Sequence, residues 1–263
     1  MFKTRLISGI ALLAAALLTI RAGGAVLGAT LCLLSLIGLW ELYRAMHADD
    51  SVTGPLALTG FISCVLWYVL LFLPSEPYRV LYLCAVLIAI MTVYVMTYPR
   101  YKASQIMAAF FGTVYIPVLL SCILLTRMTG HGAITVWLIF IAAWGADTCA
   151  YCVGMLIGRH KMAPVLSPKK SIEGAVGGVV GAVILGIVYA VIFKQPVIAY
   201  ALICFFGSLL SMVGDLAASA IKRNRKIKDF GKLIPGHGGV LDRFDSILVT
   251  APVIYFLSLV LLG

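Results

Sequence analysis

Seven Lys and Arg residues, three carboxylates and a Pro-Gly-His-Gly-Gly turn fall within the run from Ser219 to Asp245, with Asp215 four residues before it. Cations and carboxylates interleaved in this way suit phosphates together with a divalent metal. Asp242 and Asp245 are three apart, so a helical turn projects both from one face, and Asp215 can complete an oxygen-rich cluster from a neighbouring helix. Mg2+ prefers that donor set, using one or two carboxylates with waters and substrate phosphates. Lys222, Arg223, Lys228, Lys232 and Arg243 can neutralise a triphosphate. Gly236, Gly238 and Gly239 allow backbone positions closed to other residues, so that amide N–H groups can approach anionic oxygens. Asp215, Ser219 and Lys222 stand at i, i+4 and i+7 and share a helix face.

A second polar segment runs from residue 158 to residue 174. Pro164 and Pro168 break helix there, and Lys169 and Lys170 supply donors for phosphate. Ser171 is placed to cap the next helix, with Glu173 in the first turn favouring its dipole; a helix N-terminus preceded by basic residues is an anion site. Asp147 lies inside an apolar run, eleven residues before its polar end, or roughly 16 Å at the helical rise. A carboxylate at that depth is costly unless it is paired, protonated or facing a polar cavity. It is read as part of the wall of a polar active-site cavity, the alternative being a structural Asp that caps a neighbouring helix.

The elements that position these groups are membrane spans. Hydrophobic residues make up 62% of the 263-residue chain and charged residues 11%, against about 25% charged in soluble domains; the mean hydropathy is +1.08. Nine apolar runs, at 6–20, 22–40, 51–75, 80–99, 103–126, 128–158, 174–193, 195–214 and 246–263, predict an all-α integral membrane protein of about nine transmembrane helices. The first run also has the form of a signal peptide, but the second follows almost at once, and a retained helix is expected. With the N-terminus cytoplasmic and the C-terminus outside, 16 Lys and Arg fall in inside segments and 4 outside, as the positive-inside rule requires. Both polar segments then face the cytoplasm. A single membrane domain over 1–263 is expected, with 1–126 as scaffold helices and 140–250 as the catalytic region.

The net charge of +10 sits in membrane-adjacent loops, which points to the lipid bilayer and anionic substrates and away from nucleic acid. The seven cysteines are scattered through apolar runs and imply no disulfide framework. Cys149 and Cys152 have the CxxC spacing but lie in a helical run, where packing is the expected role. Gly174, Gly177, Gly178 and Gly181 give two overlapping GxxxG spacings, a sign of close helix packing.

The order Ser-x-hydrophobic-Lys-Arg, four residues, Lys-Asp-x-Gly, two residues, Ile-Pro-x-His-Gly-Gly, then hydrophobic-x-Asp-Arg-hydrophobic-Asp resembles the signature of the phosphatidate cytidylyltransferase (CDP-diacylglycerol synthase) family, matched from Ser219 to Asp245 without a gap. The segment from Ser167 to Gly174 is similar to the family too, with Ser171 where Thr is common. In the first 126 residues only hydropathy agrees. The resemblance implies transfer of CMP from CTP to phosphatidic acid, giving CDP-diacylglycerol and pyrophosphate, with Mg2+ and a second metal ion plausible, in a homodimer. Carried onto matching positions, Asp215 and Asp242 are metal ligands, with Asp245 a third; Lys222 and Arg223 join Asp215 and Asp242 as the catalytic set. Lys169, Lys170, Lys228 and Arg243 bind phosphates, and His237, Gly238 and Gly239 shape the nucleotide loop. Ser171, Glu173, Ser219, Asp229 and Asp147 line the substrate site. A bacterial inner membrane, with the site facing the cytoplasm, suits so compact a chain. The same chemistry admits a CTP-dependent lipid kinase, and the intramembrane carboxylates admit a transporter, although a transport pathway needs polar groups on both sides of the membrane.

Overall fold

The computed structural model describes residues 14–49, 53–73, 77–234 and 238–263. Residues 14–22 are helical; the rest of the first expected span lies outside the described residues. Among the described residues, seven helices are long and apolar enough to cross a membrane: α1 (Gly24–Met46), α3 (Tyr78–Met96), α4 (Ala103–Met128), α5 (Gly132–Ile157), α6 (Ile172–Ile192), α7 (Val197–Asn224) and α8 (Leu241–Leu261). Between α1 and α3 lies a shorter apolar helix, α2 (Pro55–Leu70), of 16 residues. The chain is thus a helical membrane protein. One two-stranded antiparallel hairpin, β1 (Lys161–Ala163) with β2 (Ser167–Ser171), is the exception among the described residues.

Three helices continue past the apolar runs that predict them. Hydropathy ends the second run at Trp40, but α1 continues to Met46 and so carries Glu41 and Arg44 as helical residues. The run ending at Gly214 becomes a helix reaching Asn224, which keeps Asp215, Ser219 and Lys222 on one helical segment. Likewise α8 begins at Leu241 and takes Asp242 and Asp245 into its first turns. Helix geometry needs only satisfied backbone bonds, so it does not stop where the apolar residues stop.

The chain divides into two compact units, Met1–Ser121 with Arg225–Arg243, and Cys122–Asn224 with Phe244–Gly263. The signature run is therefore shared, residues 219–224 belonging to the second unit and 225–243 to the first. In the first unit α2 packs against α1, α3 and α4. Buried hydroxyl and indole groups join these helices. Tyr43 donates to the Ala109 carbonyl (2.9 Å) and bonds Thr113 (2.6 Å), Ser35 bonds Tyr68 (2.9 Å), the Trp67 indole donates to Ser121 (2.9 Å), and Tyr82 donates to the Ser63 carbonyl (2.7 Å). Because lipid gives no hydrophobic drive between helices, such bonds and close packing hold a membrane bundle together. Asp49 fixes the start of α2, accepting from the Ala57 N–H (3.0 Å) and from the Tyr101 hydroxyl (3.0 Å).

In the second unit α6 lies between α5 and α7. The GxxxG glycines face α5 at close range: a Cβ at Gly178 would stand 2.9 Å from the Ala146 carbonyl oxygen and 2.9 Å from the Ala150 side chain. The obstructing atoms include backbone, which cannot move aside. We predict that Gly178→Leu lowers stability by about 1–3 kcal/mol, the usual cost of overpacking, read as a fall in the thermal midpoint of the detergent-solubilised protein; an unchanged midpoint would show that this contact is loose.

Candidate active site

In the second unit the hairpin is anchored to α6 at its base. Ser171 caps the helix as expected, its hydroxyl accepting from the Gly174 N–H at 3.1 Å. Glu173 turns back instead of outward: its carboxylate accepts from the N–H groups of Arg159 (3.1 Å) and His160 (3.2 Å), and contacts His160 Nδ1 at 2.6 Å. The Ile172 N–H donates to the His160 carbonyl at 2.9 Å. Glu173, expected on the substrate surface, therefore holds the hairpin's first strand to the helix that follows it. With that base fixed, β2 presents Lys170 to α7, where its ammonium pairs with Asp215. Asp147, exposed on α5, is near enough to Lys170 and Asp215 for their charges to act on it. A π-helical turn at Ile141–Gly145 ends two residues before Asp147; single π turns inside α-helices are frequent at functional sites.

Further along α7, Lys222 lies 3.7 Å from Asp245, and the Arg223 Nε donates to the Leu166 carbonyl in the hairpin turn at 3.4 Å. Asp245 also accepts from the N–H of Ser246 at 2.8 Å. A Cβ at Gly214 would meet the Asp245 carbonyl oxygen at 2.8 Å, so α7 and α8 touch here. The second unit thus gathers two carboxylate–ammonium pairs, Asp215 with Lys170 and Asp245 with Lys222, and a third carboxylate at Asp147. Ser219 is half-buried on α7, and Lys169 is exposed on β2.

The first unit carries the rest of the signature as a loop built on carboxylates. Asp242 Oδ2 accepts from the N–H groups of Phe230 (2.8 Å), Gly239 (3.0 Å) and, at 3.4 Å, Gly231. The two carboxylate oxygens of Glu41, on α1, accept from Val240 (3.1 Å) and Leu241 (2.8 Å), two N–H groups at the start of α8. The first N–H groups of a helix have no partner within it, so this carboxylate serves as their cap from 200 residues away in sequence. Arg44, one turn beyond Glu41, donates to the Phe230 carbonyl at 2.9 Å and lies 4.5 Å over the Trp40 ring. Gly238 has φ +86°, a conformation that side chains other than glycine rarely adopt; its carbonyl accepts from Ile234 at 2.9 Å, closing the turn. Lys228 and Asp229 are exposed and Arg243 is half-buried. His237 lies outside the described residues.

Asp242, expected as a metal ligand, has one oxygen committed to backbone donors. Among the described residues no group of three or more His, Cys, Asp and Glu side chains is gathered closely enough to hold a metal ion. What the second unit does offer is two carboxylates each facing a lysine ammonium. A cation stands at each, and one or two carboxylates are what Mg2+ asks of a protein when substrate phosphates and waters complete its shell. Asp215 and Asp245 fit the ion on that basis. Sequence reading missed Glu41 and Arg44, and its only available signal was a Glu close to the end of an apolar run.

The pattern defining the Cytidylyltransferase family matches residues 3–261. The phosphatidate cytidylyltransferase of Staphylococcus aureus (strain COL) is 31% identical over 264 residues, covering 97% of this chain and 98% of its own. Those of Bacillus subtilis (strain 168) and Synechocystis sp. are 36% identical over 129 residues and 38% identical over 133 residues. In these two the aligned stretch spans about half of each relative, 48% and 45%, and 48% and 50% of this chain. Matched along its whole length by both a family pattern and a full-length relative, the chain belongs to the cytidylyltransferase family, with the phosphatidate cytidylyltransferases as its relatives.

Proposed function

We propose that this protein is a Mg2+-dependent phosphatidate cytidylyltransferase, joining the CMP moiety of CTP to phosphatidic acid at the bilayer and releasing pyrophosphate. The observation that carries this reading is the pair of carboxylate–ammonium contacts, Lys170 with Asp215 and Lys222 with Asp245, within two segments that resemble the family's. A phosphate oxygen of phosphatidic acid attacks the α-phosphorus of CTP. The new P–O bond forms as the bond from the α-phosphorus to the bridging oxygen breaks, and that oxygen leaves with pyrophosphate. A phosphate monoester has its second pKa near 6, so the nucleophile is largely dianionic at pH 7 and needs no general base. Charge neutralisation and alignment then carry the rate.

Lys170 and Lys222 bind phosphate oxygens, with Lys169 on the adjoining strand position. When bound at Asp215 and Asp245, one or two Mg2+ ions would supply further neutralisation of the phosphates. Arg223 holds α7 to the hairpin turn through Leu166, and Glu173 holds the hairpin to α6, so both act by positioning. Asp242 organises the loop backbone at Phe230, Gly231 and Gly239. Nine spans with the N-terminus in the cytoplasm, a site facing the cytoplasm from a bacterial inner membrane, and a homodimer complete the proposal; the charge bias of the loops supports the orientation.

In mixed micelles of phosphatidic acid with Mg2+, label from the α-phosphate of CTP should enter the lipid phase with release of pyrophosphate. Transfer of label from the γ-phosphate alone would mean a lipid kinase and end this reading. Removal of Mg2+ by chelator should abolish transfer, and Asp215→Asn should cut kcat by about a hundredfold or more in protein that still migrates as a folded species; full activity in that variant would remove Asp215 from the metal site. Asp242→Asn should also stop turnover, since an amide cannot present an anionic oxygen to the three backbone donors.

A further inference from the structure

The hairpin between α5 and α6 carries two cations, Arg159 and Lys161, that the proposed chemistry leaves without a role. From residue 159 to residue 171 there are four Lys and Arg residues and no Asp or Glu. Lys170 turns to Asp215. Arg159, Lys161 and Lys169 are exposed, and among the described residues none of these three forms an ion pair. Their backbone is nonetheless fixed: Glu173 accepts from the Arg159 and His160 N–H groups, the Ile172 N–H donates to the His160 carbonyl, and Lys161 pairs with Ser171 across the strands. Next to this base is surface that faces lipid. Leu156 and Ile157 end α5, Ile172 starts α6, and they are 82%, 60% and 50% exposed. Arg159 follows Ile157 by two residues and Lys169 precedes Ile172 by three, about 7 and 10 Å of extended chain. The headgroup layer beyond the hydrocarbon is about 5–8 Å thick on each side, and long basic side chains bend to reach it. The three cations therefore stand at the depth of lipid phosphates, beside apolar helix ends on which acyl chains can lie.

We propose that Arg159, Lys161 and Lys169 form a docking site for the lipid substrate, holding the phosphate monoester headgroup of phosphatidic acid at the bilayer surface with its acyl chains along Leu156, Ile157 and Ile172. The proposal rests on the cytidylyltransferase reading and adds to it the side from which the lipid comes. A monoester carries close to two negative charges at pH 7, where the phosphodiester of other lipids carries one, so a group of unpaired cations favours it. Lys170 follows Lys169 on β2 and faces Asp215, so one step along the strand separates the docked headgroup from the reacting position. CTP arrives from water and has no chains to lay on the apolar helix ends.

The test is steady-state kinetics in mixed micelles, with phosphatidic acid varied as a mole fraction, on the double variant Arg159→Gln with Lys161→Gln. Arg159 takes part in the hairpin through its N–H, which the substitution keeps. The expected result is a KM for phosphatidic acid raised about tenfold or more, with the KM for CTP and kcat unchanged. The charge-conserving pair Arg159→Lys with Lys161→Arg should restore the wild-type value, and Lys194→Gln, at the far end of α6, should leave it alone. If the double variant does not fold, Lys161→Gln by itself is read in the same way, with about a fivefold rise expected. Cations that serve only to orient the spans would alter insertion or yield and leave both KM values as they are; that result, or a rise for CTP equal to or larger than that for the lipid, overturns the proposal. Failure of the wild type to label lipid sinks the cytidylyltransferase reading and this proposal with it, whereas an active wild type beside a variant with unchanged lipid dependence sinks the docking site alone.

Discussion

A carboxylate withdrawn from water must be met by donors, and in this protein the loop donors that meet two of them belong to the backbone. Glu41 and Asp242 accept from five N–H groups between Phe230 and Leu241. Hydrogen bonds to charged groups contribute about 1.5–3 kcal/mol each, and a buried donor left without a partner costs a similar amount. Neither the carboxylates nor the loop amides can leave this arrangement singly. The bend that joins the polar segment to α8 is fixed by that mutual need, and the glycines at 231 and 239 follow from it, because a side chain there would occupy the place of the Glu41 carboxylate.

The second unit solves a related problem by different means. Its carboxylates at Asp215 and Asp245 stand against lysines, one from a strand and one from the helix that carries Asp215 itself. A lysine is a mobile, compact cation on a flexible stem, so such a pair can be opened by a competing charge at modest cost. Backbone donors cannot be exchanged in this way.

Much of this was legible in the sequence, and the exceptions have physical causes. Hydropathy located the seven spans found among the described residues, because lipid tolerates only helices with satisfied backbones. The residue types between Ser219 and Asp245 announced phosphate chemistry, and the spacing of Asp215, Ser219 and Lys222 was that of the helix observed. Ser171 capped its helix as its position foretold. Helix ends were misplaced because an apolar run marks what lies in lipid, whereas α1 and α7 extend beyond it. The hairpin from Lys161 to Ser171 was hidden by its prolines and charges, which read as loop. Glu41 was invisible for a deeper reason: its partners are backbone groups 200 residues distant, and backbone groups leave no residue-specific mark in a sequence. Glu173 was expected in the substrate site and Asp242 as a metal ligand; the structure gives both of them backbone N–H partners that residue type alone did not announce.

The claim on which the rest hangs is that carboxylates clamp this loop through its amides, and hydrogen–deuterium exchange of the folded protein in micelles tests it most directly. The amides of Phe230, Gly239, Val240 and Leu241 should exchange at least about a hundredfold more slowly than those of the exposed Lys228 and Asp229. Exchange of all six at the rate of an open loop would contradict the account.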